Sequence, residues 1–202
     1  MNEQFSTQDL KGKNIIVYDI EIKKSPDQCR NGWSSKDEMG ISVACMFDYQ
    51  TMMYHAFMDD NMCDMVDRMS KPGTMIVGFN TINFDNAVLR ASGYPLPADD
   101  YLNNYDLMVI SREGAKDSGS IASVHKGTSL DDHLKTIGLP VKSGDGALAP
   151  KLWQDGKVGE LVNYCLYDVF CEKNLFEFMY VRGYARCTKY PKNYSIRRPN
   201  FG

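Results

Sequence analysis

The stretch Ile15-Ile16-Val17-Tyr18-Asp19-Ile20-Glu21-Ile22 decides the fold, because it is a nearly continuous apolar run rich in β-branched residues. Such a run predicts a central strand that is buried on both faces. Side chains alternate along a strand, so Asp19 and Glu21 project from the same face, about 7 Å apart. Two like charges on a half-buried surface repel each other unless a cation, a proton or another partner compensates them. Oxygen ligands favour a hard cation such as Mg²⁺ or Mn²⁺.

Length and composition indicate a single globular domain. The 202 residues are enough for one domain with a sizeable core and few for two. No segment reaches the apolar length of a membrane span, and the N-terminus lacks the basic and apolar regions of a signal peptide. The six cysteines lack the Cys-x-x-Cys spacing that is typical of zinc sites. We therefore expect a protein of the reducing cytoplasm, without a disulfide framework.

The charge is unevenly distributed along the chain. A net charge of −3 argues against a protein that coats nucleic acid. Residues 181–202, however, carry six basic side chains and no acidic one, so the preceding residues carry −3 − 6 = −9. We therefore divide the chain into a domain over 1–180 and a basic, aromatic tail over 181–202. The tail, with Arg186 and Lys189, either binds a nucleic-acid backbone or packs on the acidic body.

The hydrophobic pattern predicts an α/β fold in which helices flank a mixed five-stranded sheet. A long polar connection over 23–40 follows the first strand. We then expect a hairpin of strands 41–47 and 51–57, a helix over 60–69 and a strand over 74–78. The prediction is completed by a fifth strand over 105–110, helices over 81–91, 129–137 and 159–180, and irregular segments over 111–127 and 138–150.

Two further aspartates interrupt apolar faces of the predicted helices. In the helix capped by Asn80 or Thr81, Asp85 shares a face with apolar residues. In the last helix, Asp168 lies in an apolar row with spacings of three and four. A lone buried aspartate costs several kcal/mol unless it is paired, and neither face offers a Lys or Arg. A shared cation is an economical partner, and four inward acids suffice for two divalent ions.

Together these motifs resemble those of the DEDD exonucleases. Asp19-Ile-Glu21 is similar to the first motif, Gly78-Phe-Asn80 with Asn83-Phe-Asp85 to the second, and Tyr164-Cys-Leu-Tyr-Asp168 to the tyrosine form of the third. Each motif alone is weak, since Asp-x-Glu is also typical of a strand that ends in a charged turn. Their order and spacing match the family over roughly residues 14–180, and the segments 129–131, 142–146 and 150–156 add to the similarity. It is greatest to the proofreading exonuclease domain of family B DNA polymerases and its stand-alone bacteriophage relatives.

The resemblance implies a ribonuclease H-like fold and 3′→5′ hydrolysis of DNA to mononucleotides, at single-stranded or frayed 3′ ends. It also implies two divalent ions, Mg²⁺ or Mn²⁺. Asp19 would bridge both ions, Glu21 and Asp168 would complete the shell of the first, and Asp85 would hold the second largely through water. Tyr164 would orient the attacking water; because its ordinary pKa is about 10, lowering the pKa of that water falls chiefly to the metal.

The substrate contacts are less strongly indicated. Asn80 either lies beside the substrate strand or only caps a helix, and Trp33 either stacks on a base or fills an edge of the core. Phe84 is a third candidate, and Arg186 and Lys189 are candidates in the tail.

We expect a monomer, located in the host cytoplasm if the chain is encoded by a bacteriophage, with a replication or recombination protein as partner. The alternatives are a ribonuclease or an endonuclease on the same fold, or an inactive module that binds single strands or a replication partner; the four acids disfavour the last.

Overall fold

A computed structural model describes residues 5–119, 128–141 and 147–201. Its main sheet consists of β1 (Ile15–Ile22), β2 (Ile41–Asp48), β3 (Met53–Phe57), β4 (Met75–Gly78) and β5 (Asn103–Asp106) in the order β3-β2-β1-β4-β5. β1 is central, pairing antiparallel with β2 and parallel with β4. β3 continues the sheet antiparallel to β2, and β5 continues it parallel to β4. The predicted mixed five-stranded sheet is confirmed.

Helices cover both faces of this sheet. They are α1 (Lys36–Met39), α2 (Met62–Met69), α3 (Asp85–Ala91), α4 (Leu107–Asp117), α5 (Leu130–Ile137), α6 (Leu148–Gln154) and α7 (Val158–Arg182). Alternation along β1 separates two cores, as the sequence predicts. Ile15 and Val17 belong to the core beneath α7, whereas Tyr18 and Ile20 belong to the core beneath α2 and α3. The face that carries Asp19 and Glu21 is therefore the face that α7 covers.

The prediction of a strand over 105–110 is wrong beyond residue 106. β5 ends at Asp106, and α4 begins at Leu107. The Asp106 carboxylate accepts hydrogen bonds from the backbone N–H of Met108 at 3.0 Å and of Val109 at 3.3 Å, which makes it the N-cap of the helix. The apolar run after Asp106 therefore lies on a helix. α4 continues to Asp117, into the segment expected to be irregular, and 120–127 lie outside the described residues.

Other boundaries also differ from the prediction. α3 begins at Asp85 rather than at residue 81, so neither Asn80 nor Thr81 caps it. α6 begins inside the segment expected to be irregular over 138–150, whose residues 142–146 lie outside the described part of the chain. The connection over 23–40 contains α1 and the 3₁₀ turns Pro26–Gln28 and Gly32–Ser34.

The tail packs on the body of the domain, one of the two alternatives left by the sequence. Its two short strands, β6 (Tyr184–Ala185) and β7 (Tyr194–Ser195), pair antiparallel. Tyr194 is buried, and its hydroxyl lies 2.7 Å from Ser111 Oγ on α4. Contact between the basic side chains of the tail and nucleic acid remains a prediction. Among the helices that the structure describes, none combines the length and the apolar character needed to cross a membrane.

Candidate active site

The site forms where β1 extends beyond its parallel neighbour. Pairing between β1 and β4 stops at Val17, so the last residues of β1 continue without that strand beside them. Beyond that point Asp85, at the start of α3, lies beside β1, and its Oδ1 accepts a hydrogen bond from Ile20 N at 3.3 Å. Glu21 and Asp85 are buried and Asp19 is half-buried. Three carboxylates from β1 and α3 thus lie at one end of the sheet.

α7 brings further acidic and sulfur side chains to the same place. Cys165 Sγ lies 3.5 Å from the backbone oxygen of Asp19 and 3.8 Å from its Oδ2, which seats the helix against β1. One oxygen of Asp19, one of Glu21 and this sulfur lie within 4.8 Å of one another. Tyr164 and Asp168, the predicted residues of the third motif, are both buried on this helix. Helical spacing places them on the same face, one turn apart.

Glu172 is a buried acid that the sequence-based prediction did not include. It follows Asp168 by one turn of α7, is 3% exposed, and accepts a hydrogen bond from Phe79 N at 3.1 Å. This bond fixes the backbone at the point where β4 leaves the sheet. The spacing of four residues that links Tyr164 to Asp168 continues to Glu172, and this signal in the sequence would have identified it.

The electrostatics of the site favour a bound cation. The pKa of Asp19 is raised well above its usual range, first by burial and then by the charges of four neighbouring carboxylates: Glu21, Glu172, Asp85 and Asp168. The ionised carboxylate therefore destabilises the folded protein unless positive charge compensates it. A buried set of carboxylate oxygens matches the ligands preferred by Mg²⁺ and Mn²⁺. Burial also raises the pKa of Cys165, so its thiol keeps its proton beside these acids.

The turn that follows β4 is held in an unusual conformation by Asp106. Asn80 has a φ of +68°, in the left-handed region that Asn tolerates better than most residues. The Asp106 carboxylate accepts hydrogen bonds from Asn80 N at 2.9 Å and from Ile82 N at 3.1 Å. One carboxylate therefore secures both the turn that leads to Asp85 and the start of α4. The Asn80 side chain accepts a 3.4 Å hydrogen bond from Asn83 Nδ2 and does not cap the helix.

The acidic residues of β1 and α3 line a cleft of about 660 Å³. Its lining includes the acids Asp19, Glu21 and Asp85, the aromatic residues Trp33, Phe79 and Phe84, and the polar residues Lys36 and Asn80. Trp33 is 65% exposed, so it does not fill an edge of the core. Its ring meets that of Phe84 edge-to-face at 5.7 Å, and the Lys36 ammonium lies 4.9 Å from the Phe84 ring centre. The cleft thus joins an acidic floor to an aromatic wall, in which Trp33 is exposed and Phe84 is half-buried.

The tail candidates lie apart from this wall. Arg186 is half-buried, and its carbonyl oxygen accepts a hydrogen bond from Thr136 Oγ1 on α5 at 3.2 Å. Lys189 is exposed, with its ammonium 5.5 Å from the Tyr190 ring. Neither residue is among the described residues that line the cleft. Their predicted contact with substrate would therefore have to occur outside it.

Comparison with known proteins identifies the fold. No family model matches the sequence, and no curated protein does. The family B DNA polymerase of Pyrobaculum calidifontis is similar in structure, with a TM-score of 0.56 and 18% identity over 82% of this chain and 24% of the polymerase. E. coli exonuclease I in complex with a dT13 oligonucleotide gives a TM-score of 0.52 and 10% identity, over 83% of this chain and 41% of that one. The chain therefore spans less than half of either matched chain. These similarities show a ribonuclease H-like fold.

Proposed function

We propose that this protein is a metal-dependent 3′→5′ exonuclease that hydrolyses DNA to mononucleotides. The observation that carries the proposal is the juxtaposition of carboxylates from β1 and α3, which line an open cleft, with buried carboxylates of α7 close enough to raise the pKa of Asp19. Such a concentration of negative charge is destabilising in an ordinary core and is explained by a cation-binding role. Two of the fold neighbours are a DNA polymerase and an exonuclease solved with an oligonucleotide, which supports DNA as the substrate.

The residues assigned to two divalent ions, Mg²⁺ or Mn²⁺, are Asp19, Glu21, Asp85 and Asp168. When bound, such ions lower the pKa of water and stabilise the charge that develops on a phosphodiester during hydrolysis. The chain itself holds the carboxylates in position. β1 fixes Asp19 and Glu21, the Ile20 N–H orients Asp85, and α7 presents Asp168. Little rearrangement of protein groups is then needed during the reaction.

We assign the orientation of the attacking water to Tyr164. Its ring is buried on α7, one turn before Asp168. A phenol with an ordinary pKa of about 10 keeps its proton at neutral pH, so it hydrogen-bonds to water without deprotonating it. The role of Tyr164 in this proposal is therefore to position water.

We assign substrate binding in the cleft to Trp33, Phe84 and Asn80. Aromatic faces stack on unpaired bases of any sequence, whereas a base within a duplex is already stacked. The exposed Trp33 and the half-buried Phe84 therefore favour a single-stranded or frayed 3′ end, and Lys36 adds positive charge beside the ring of Phe84. Arg186 and Lys189 would contact the strand farther along. A replication or recombination protein as partner is a separate part of the proposal.

End-labelled single- and double-stranded DNA and RNA, incubated with Mg²⁺, Mn²⁺ or EDTA, test this function. We expect mononucleotides to be released from the 3′ end of single-stranded DNA with either metal and no product with EDTA. Asp168→Asn should abolish release, whereas Asp60→Asn, a change at an exposed aspartate, should leave it intact.

The products separate the alternatives. Internal cleavage would identify an endonuclease, and faster degradation of RNA would identify a ribonuclease. Unchanged activity in Asp168→Asn would contradict the proposed site. Binding of DNA without hydrolysis under any metal condition would contradict the proposed activity.

A further inference from the structure

A second cavity lies on the other side of the segment that leaves β1. It has a volume of about 430 Å³ and is lined by Lys23, Lys24, Gln28, Trp153 and Gln154. Ser25 and Pro26, from the same short segment, line the acidic cleft instead. The two cavities are therefore adjacent, and they share residues 23–28 as a common wall.

Hydrogen bonds between two elements build this second cavity. Gln154, at the end of α6, donates from Nε2 to the backbone oxygen of Lys23 at 3.0 Å and to Gln28 Oε1 at 2.9 Å. These bonds join α6 to the chain just after β1. The Lys23 ammonium lies 5.1 Å from the centre of the Trp153 ring and forms a 2.8 Å ion pair with Asp59. Lys24, the next residue, is exposed.

The chemistry of the lining suits a nucleotide. An indole ring provides a surface for a base, ammonium groups attract a phosphate, and side-chain amides hydrogen-bond to either. The neighbouring cleft has an acidic floor, and the whole chain has a net charge of −3. A polyanionic strand therefore needs cationic side chains close to that floor. The exposed Lys24 provides such a charge, immediately after the strand that carries Asp19 and Glu21, whereas Asp59 already compensates the charge of Lys23.

We propose that this cavity is a second nucleotide subsite, which holds an unpaired nucleotide of the same strand whose terminal nucleotide occupies the acidic cleft. The base lies against Trp153 and the phosphate beside Lys24. The inference rests on the proposed function, because it takes the strand to be the substrate of the adjacent site. It extends the contact with single-stranded DNA beyond the aromatic wall formed by Trp33 and Phe84.

Binding to a 5′-fluorescent dT6 oligonucleotide in EDTA tests the subsite without any hydrolysis. We expect Lys24→Glu with Trp153→Leu to weaken binding at least about fivefold, since base–aromatic stacking and one phosphate contact are both lost. Lys24→Glu alone should also reduce the slope of log Kd against log salt by about 0.7, the contribution of one phosphate contact on a single strand. Lys71→Glu, at an exposed lysine just before β4 and so at the opposite end of the sheet, makes the same change of charge as Lys24→Glu and should change neither quantity.

A substrate with one nucleotide, the p-nitrophenyl ester of thymidine 5′-monophosphate, separates the subsite from the active site. With Mn²⁺, the double variant should hydrolyse this ester at the wild-type rate while its KM for dT6 rises. Equal losses on the ester and on dT6 would show that the cavity only supports the active site. Unchanged dT6 affinity in the double variant would assign the cavity to a different ligand and overturn the proposal.

The single variant and the binding assay keep the two proposals distinguishable. If Trp153→Leu fails to fold, Lys24→Glu still tests the subsite, because Lys24 is exposed. An unchanged salt slope in that variant overturns the subsite. If wild type binds dT6 through Lys24 but hydrolyses neither substrate, the proposed function fails while the binding inference stands.

Discussion

The backbone N–H of Ile20 donates a hydrogen bond to Asp85 Oδ1 at 3.3 Å, which ties α3 to β1 beyond the end of β4. Asn at position 85 keeps an acceptor oxygen but removes the charge, whereas Ala removes both. We expect Asp85→Asn to lose DNA hydrolysis by about 100-fold or more while folding at least as stably as wild type without metal. Asp85→Ala should lower the free energy of unfolding by about 1–3 kcal/mol, because the Ile20 N–H then lacks this hydrogen-bond acceptor. Thermal denaturation in EDTA and rates on single-stranded DNA measure the two effects.

Equal stability of the Asn and Ala variants would show that the Ile20 hydrogen bond contributes little. Full activity in Asp85→Asn would exclude Asp85 from the proposed metal ligands.

Glu172 provides a test of charge repulsion within the site. Gln at this position still offers an oxygen to Phe79 N but removes one of the charges that raise the pKa of Asp19. A carboxyl whose pKa is raised in the folded state reduces stability at every pH above its ordinary value. We therefore expect Glu172→Gln to raise the melting temperature in EDTA at neutral pH and to lower the affinity for Mn²⁺. Differential scanning fluorimetry with and without Mn²⁺ measures both, with the exposed Glu113→Gln as control.

A fall in melting temperature in EDTA would mean that the negative charge of Glu172 stabilises the fold, against this electrostatic argument. Unchanged affinity for Mn²⁺ would show that the charge of Glu172 does not contribute to the proposed metal site.

The sequence predicts most of this site because its signals are local. An apolar run interrupted by Asp19 and Glu21 specifies a buried strand with two acids on one face. Asp168 is detected because a charged residue stands in an otherwise apolar helical row. Position 106 shows where this reasoning fails. The apolar residues after Asp106 fit a strand as well as a buried helix, and the apolar pattern does not show that the Asp106 carboxylate caps a helix at Met108 N while it also accepts from Asn80 N. The same carboxylate holds the turn before Asp85, a role that the spacing in the sequence does not indicate.

Gly78 lies at the point where β4 leaves the sheet, and the close approach of β1 explains the glycine. A Cβ at this position would meet Thr81 Cγ2 and would lie 2.8 Å from the backbone oxygen of Tyr18 on β1. We expect Gly78→Ala to destabilise the protein by about 1–3 kcal/mol, the usual cost of forcing extra atoms into a packed core. Urea denaturation measures the change in the free energy of unfolding.

Gly159→Ala is the matched control, because a Cβ there meets nothing within 4 Å and the residue lies in α7. This variant should be neutral or more stable by up to about 1 kcal/mol, given the higher helix propensity of Ala. Similar losses in both variants would argue against the close approach at Gly78.

His133, buried on α5, is expected to make the stability of the folded protein depend on pH. Its Nδ1 lies 2.8 Å from Ser129 O, which can only accept, so Nδ1 carries the proton and Nε2 accepts from Ser111 Oγ at 2.6 Å. Burial lowers the pKa of His133, with the nearby Arg112 adding to this effect and Asp132 opposing it. In the unfolded chain this histidine therefore binds a proton near pH 6.5, whereas in the folded protein it is protonated only at lower pH. We expect the contribution of His133 to the free energy of unfolding to be fully present above about pH 7. Below pH 6.5 it should decrease by up to about 1.4 kcal/mol per pH unit.

Denaturation midpoints between pH 5 and 8 measure this loss. His133→Gln should flatten the dependence on the acid side, while the control His55→Gln, at a less buried histidine, should retain most of it. A slope that persists in His133→Gln would assign the effect to other groups.

Tyr164→Phe separates the proposed chemistry from binding, because it keeps the packing of the ring and removes only the hydroxyl. If the hydroxyl orients the attacking water, kcat should fall by about 10-fold or more while the affinity for single-stranded DNA stays nearly unchanged. The control is Tyr167→Phe on the same helix, which removes the hydroxyl that donates to Val141 O at 3.2 Å. The Tyr167→Phe variant should have a lower free energy of unfolding and a nearly unchanged kcat. Equal losses of affinity and kcat in Tyr164→Phe would mean that the hydroxyl positions the substrate strand. Full activity would leave the orientation of water to the metal ligands alone, because no hydroxyl would remain at position 164 to hold it.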